Sequence, residues 1–87
     1  MKPNKVFSLL GLATRAGRTA SGEFMTEKSV KNKTAALVIV GTDASANTKK
    51  NFRDMCSFYH VPYYEYGTKE ELGHAMGKEM RASLAVT

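Results

Sequence analysis

Apolar positions change their period several times along this chain, and each change marks an element. Val6, Leu9, Leu10 and Ala13 fall at i, i+3, i+4 and i+7, the spacing of an amphipathic helix. Asn4 is placed to cap its start and Gly17 to stop it. Residues 18–21 are brief and read as a small strand. Gly22 then opens a second helical stretch through Val30, weakly amphipathic and rich in lysine on one side.

Residues 35–40, Ala-Ala-Leu-Val-Ile-Val, form an unbroken apolar run with β-branched members, which predicts a strand buried on both faces. After Gly41, Thr42 and Asp43 the helical period returns. Phe52, Met55, Cys56 and Tyr59 share one stripe, Lys49, Lys50 and Arg53 lie off it, and either Ser45 or Asn47 can cap the start. Pro62 allows a new extended segment over residues 63–66. Thr68 and Glu71 have the spacing of a capping box, in which each side chain satisfies the other residue's backbone amide. Leu72, Ala75 and Met76 form the apolar side of that fourth short helix, Gly77 ends it, and residues 80–86 read as the last strand. The order α-β-α-β-α-β-α-β calls for an α/β fold with helices on both faces of a central sheet. The crossovers through the third and fourth helices are expected to be right-handed and to join parallel strands.

Length and composition narrow the class. Eighty-seven residues hold one domain and one core, and 43% hydrophobic with 24% charged residues is the balance of a folded soluble protein rather than a disordered one. No segment approaches the ~20 apolar residues of a membrane-spanning helix. Lys2 and Lys5 before the apolar residues 6–13 imitate a signal peptide. That stretch is short, contains Ser8, and runs into Arg15 and Arg18 where a cleavage region is neutral. The lone cysteine, Cys56, excludes an intramolecular disulfide and fits a reducing, cytoplasmic compartment.

The net charge of +5 is unevenly placed. Lys2, Lys5, Arg15, Arg18, Lys28, Lys31 and Lys33 in the first 33 residues face only Glu23 and Glu27, while cations and acids balance in the remainder. One basic face is therefore expected, of the kind that attracts phosphate or anionic lipid.

Catalytic chemistry finds little footing. Cys56 sits on the apolar stripe of a helix, as a small core residue does. His60 ends that helix, either capping its carbonyls or solvated, and His74 falls on the exposed side of a short one. With Cys56, these are too few ligands for a structural zinc. No Gly-x-Ser-x-Gly elbow, Walker loop or Gly-x-Gly-x-x-Gly is present. The expectation is a non-enzyme without cofactor or metal. Residues 41–45 lead from a strand to a helix N-terminus, but Asp43 would repel an anion there, which favours a turn-and-cap role. The second helix offers the better anion site. Gly22 permits close approach of another backbone, the first-turn amides are free, and Lys28, Lys31 and Lys33 can sit beside them. The competing reading is a solvated helix behind a glycine turn. Tyr63, Tyr64 and Tyr66 alternate in a strand and need not form a stacking platform.

The arrangement resembles the kink-turn RNA-binding ribosomal proteins of archaea and eukaryotes (large-subunit type), and most of all their short bacterial YlxQ-like members. Four features carry the resemblance in order: Gly17 to Gly22, a helix bearing Lys28, residues 33–40 followed by Asp43, and Glu71-Leu72-Gly73 with Gly77. The resemblance implies a three-layer α-β-α sandwich around a four-stranded mixed sheet. It further implies that the second helix N-terminus enters the widened groove at tandem sheared G·A pairs, while the loop before the last strand packs on an extruded base. By position, the contacts would come from Arg18, Ser21, Gly22, Glu23, Phe24, Met25, Lys28 and Lys31, and from Lys78, Met80, Arg81, Ala82 and Ser83. Phe24 and Met25 stand where G·A readers of the family carry Asn and Glu, and neither side chain hydrogen-bonds a base edge. The chain ends at Thr87, so the family's C-terminal helix is expected to be short or missing.

The expected partner is structured RNA, ribosomal or another kink-turn RNA, with ribosomal proteins nearby and no membrane. Two other readings stand beside it: a protein-docking module on the same fold, and the RNA-recognition part of a separate modifying enzyme.

Overall fold

The computed structural model describes residues 4–87. Its elements are α1 (Lys5–Arg15), β1 (Thr19–Ser21), α2 (Glu23–Lys31), β2 (Leu37–Val40), α3 (Ala46–Tyr59), β3 (Tyr63–Glu65), α4 (Lys69–Ala75) and β4 (Ser83–Val86). The alternating order is the expected one. The sheet runs β1-β4-β2-β3, with β2 and β3 parallel and β4 antiparallel to both of its neighbours.

The two central strands explain the three layers. Along β2, Val38 and Val40 are fully buried on one face and Ile39 on the other; along β4, Ala85 and Leu84 divide in the same way. On one side, Val30 of α2 and Phe52 and Cys56 of α3 complete a cluster with Val38, Val40 and Ala85. On the other side, Leu10 of α1 and Leu72 of α4, with Met76, enclose Ile39 and Leu84. Cys56 is wholly inaccessible, and burial pushes its thiol pKa up.

Three expectations need correction. The inward stripe of α1 is buried Leu10 and Gly11 with half-buried Phe7, whereas Val6 and Leu9 are exposed. Both stripes have helical spacing, one residue and therefore about 100° apart. Packing against α4 selects between them. The last strand begins at Ser83 rather than at Met80. The crossover through α4 also does not return the chain for a parallel pairing. Tyr66 N donates to Val40 O at 3.1 Å and Gly41 N to Ala82 O at 2.9 Å. The exit of β3 and the entry of β4 thus meet at one end of β2, so β4 must run back antiparallel. The β2-α3-β3 crossover does join parallel strands.

Local signals set the helix ends. Asn4 Oδ1 accepts from Phe7 N at 3.0 Å, Ser45 Oγ accepts from Thr48 N at 3.1 Å, and Thr68 with Glu71 forms the full capping box. All four helices finish with one Schellman pattern, seen in the bonds Arg18 N to Ala13 O, Thr34 N to Ser29 O, Val61 N to Cys56 O and Lys78 N to Gly73 O. The left-handed residue in these turns is Gly17, Lys33, His60 and Gly77 in order.

Candidate nucleic-acid interface

The N-terminus of α2 is open. Its cap is Gly22, at φ 87°, which supplies no capping side chain, so the first-turn amides of Glu23, Phe24 and Met25 remain available to an acceptor. Short hydrogen bonds fix this terminus to the end of the sheet. Gly22 N donates to Ser83 O at 3.0 Å, and Thr26 N closes the first turn onto Gly22 O at 3.0 Å.

The segment before β4, residues 76–82, lies alongside. Arg81 holds it: Nε donates to Ser21 Oγ at 3.2 Å, and Nη1 donates to Met80 O at 3.0 Å and reaches Glu79 O at 3.4 Å. Arg81 N also donates to Lys69 O at 3.0 Å, tying the segment to the start of α4. Gly73 allows the remaining contact, since a Cβ there would overlap the backbone carbonyl of Glu79. The chain can fold back over α4 only because that position has no side chain. Asp43 belongs to the same scaffold, because its Oδ1 accepts from Lys69 N at 2.8 Å. It does not cap α3, the helix its own segment leads into, where Ser45 does so; it serves the first amide of α4 instead.

Most of the residues proposed for contact fall into two neighbouring groups. Ser21, Gly22, Glu23, Phe24 and Met25 surround the α2 terminus, and Lys78, Met80, Arg81 and Ala82 form the neighbouring segment; Lys28, expected beside the terminus, stands in the last turn of the helix. Phe24, Met25, Lys28, Lys78 and Met80 are exposed. Ser83 is 1% exposed, so its side chain meets no partner; its contribution is the carbonyl that receives Gly22. Arg18 stands at the other end of β1, roughly 10 Å along the strand from Ser21, where its carbonyl accepts from Thr87 N at 2.8 Å.

Lys31 and Lys33 are not beside the open terminus but near the far end of α2, which at 1.5 Å per residue is more than about 13 Å away. Lys31 pairs with Glu27 at 3.0 Å, a hydrogen bond and charge contact that raise its pKa. Lys28 makes no ion pair among the described residues. The sequence could not reveal Arg81 as a brace, because its partner Ser21 lies 60 residues earlier.

The fold is an α/β sandwich with an open helix end braced to a loop. Residues 4–87 match the ribosomal protein L7Ae/L30e/S12e/Gadd45 family, and the chain belongs to that family. It is 46% identical to the RNA-binding protein YlxQ of Bacillus subtilis strain 168 over 93% of this chain and 81% of that protein. The large ribosomal subunit protein eL30 of Tetrahymena thermophila is 30% identical over 92% of this chain and 78% of its own length. A solved structure of a protein of unknown function from Bacillus halodurans superimposes with a TM-score of 0.93 at 40% identity, covering 97% of this chain and 85% of the other.

Proposed function

We propose that this chain is a non-catalytic RNA-binding protein of the translation machinery that recognises structured, kink-turn-like RNA. It does so through the α2 N-terminus and the segment before β4. The observation that carries the reading is the hydrogen bond from Gly22 N to Ser83 O, reinforced by Arg81 on Ser21. These bonds make one rigid surface from two segments, with free amides on one and exposed Lys78 and Met80 on the other. Free helix amides bind phosphate or sugar oxygens, and such backbone contacts fix register without reading sequence. The relatives named as RNA-binding and as a ribosomal-subunit protein support both the ligand class and its setting.

Electrophoretic mobility with a kink-turn RNA and a plain duplex of equal length tests the proposal. The expected result is a retarded kink-turn complex at protein concentrations that leave the duplex free. Equal binding of both would leave a shape-blind polyanion binder, and no binding of either would refute the function.

A further inference from the structure

α2 presents one aromatic ring to solvent. Phe24 is 73% exposed, in the first turn of the helix whose open end forms the interface. Other exposed rings are engaged or distant. Phe58 packs edge-on against Tyr59 with centroids 4.9 Å apart, and Tyr66 packs against Phe7 at 5.5 Å. Tyr64 lies on β3, at the sheet edge opposite β1. Phe24 has no aromatic partner among the described residues. Its exposure also removes the simplest alternative, that it packs against the sheet.

Phe24, Lys28 and Lys31 recur at i, i+4 and i+7, and all three are exposed, so they share the outer face of α2. The face therefore offers a π-surface followed by two cations over roughly 10 Å of helix. Lys28 is the freer cation, since Lys31 already shares its charge with Glu27. An apolar protein partner covering Phe24 would have to desolvate Lys28 beside it, whereas a polyanion gains from it. A nucleic acid strand has the complementary pair of features, a base with a π-face joined to phosphates. Bases stack on aromatic side chains whatever their identity, because every base has a π-face.

We infer that Phe24 is a stacking residue that takes one unpaired base of the bound RNA, while Lys28, with Lys31 behind it, holds phosphates of the same strand. The inference rests on the RNA-binding reading above and deepens it: the ligand is structured RNA carrying an extruded base, read by its face and not its edge. Discrimination among the four bases at that position is accordingly weak, and removal of the base is what the protein detects.

The test pairs Phe24 variants with a kink-turn RNA in which the unpaired nucleotides are made abasic one at a time. Circular dichroism first establishes that each variant is folded. Wild-type protein should lose about tenfold to a hundredfold in affinity for one of the abasic RNAs, the range measured when a stacking aromatic is removed. Phe24→Ala should lose as much on intact RNA and lose nothing further on that abasic RNA. Phe24→Trp and Phe24→Tyr should retain wild-type affinity, and Phe24→Leu should behave as Phe24→Ala. Independent losses from Phe24→Ala and every abasic site would overturn the inference. So would Phe24→Leu matching wild type, since apolar bulk and not the ring would then matter. Unchanged RNA affinity in Phe24→Ala would overturn it too and leave the ring to a protein partner. The RNA-binding reading fails separately, if the wild-type protein binds no structured RNA at all.

Discussion

Gly22 and Ser83 are 61 positions apart in the chain, yet the amide of one donates to the carbonyl of the other at 3.0 Å. The bond sits where α2 begins and β4 begins, so the open helix end and the segment before β4 cannot shift independently. A ligand that needs both finds them already in register, and little ordering is required on binding.

Gly73 is the weak point of that scaffold. A side chain at this position would collide with the Glu79 carbonyl, so Gly73→Ala must push residues 79–80 off α4. Stability should fall by about 1–3 kcal/mol in urea unfolding, the usual cost of overpacking. RNA affinity, measured where the variant is still folded, should fall with it by about tenfold.

In the proposed complex, charge enters through Lys28. Neutralising about four to six phosphates gives a log–log salt slope of roughly −3 to −5, and losing one such contact should flatten the slope by just under one. Lys28→Ala should show that change together with weaker binding. Lys50→Ala should show neither, because Lys50 is on α3 and pairs with Asp54 at 3.5 Å. Equal effects in the two variants would place the site elsewhere.

His60 closes α3 in the left-handed region at φ 60°, a conformation that costs an L-residue about 1–2 kcal/mol. Glycine relieves that strain but brings a looser unfolded chain. His60→Gly should therefore raise stability by up to about 1 kcal/mol. The readout is the urea midpoint, with RNA affinity unchanged.

Tyr63 confers a pH dependence. Burial first, and then its 2.9 Å hydrogen bond to Glu65 Oε2 and that carboxylate's charge, push its phenol pKa from 10.0 up to about 12. The folded protein keeps the proton where the unfolded chain releases it. Its contribution is thus intact below pH 10 and disappears as the pH rises through about 12. Urea unfolding above pH 10 should show wild type losing stability faster than Tyr63→Phe, and parallel curves would contradict the assignment.

Much of this architecture was legible because its signals are local. The β2 run, the Thr68–Glu71 capping box and the burial of Cys56 each follow from a few adjacent residues. Two of the four helix ends were marked by Gly17 and Gly77. The turn at Lys33 carried no such mark, and that at His60 offered only a side chain that could cap or be solvated, since the strain there is set by the path the chain takes from α3 into β3. The buried stripe of α1 was misplaced by one residue because two stripes fit the same spacing and only α4 distinguishes them. The direction of β4 depends on its insertion between β1 and β2, a pairing no local pattern encodes. At the candidate interface, the open cap at Gly22 was readable from its setting, whereas the place of Lys28 in the last turn of α2 was not. The Arg81 brace, the exposure of Phe24 and the withdrawal of Ser83 needed the folded neighbours.

The sealed position of Cys56 has a practical use. A thiol that is inaccessible and held protonated by burial reacts with an alkylating reagent only when the layer between α3 and the sheet opens. Because the chain contains no other cysteine, its labelling rate is a native clock for that opening, read without any added probe. If RNA clamps the α2 side of the sandwich, the clock should slow in proportion to occupancy, and the core itself then reports what the surface holds.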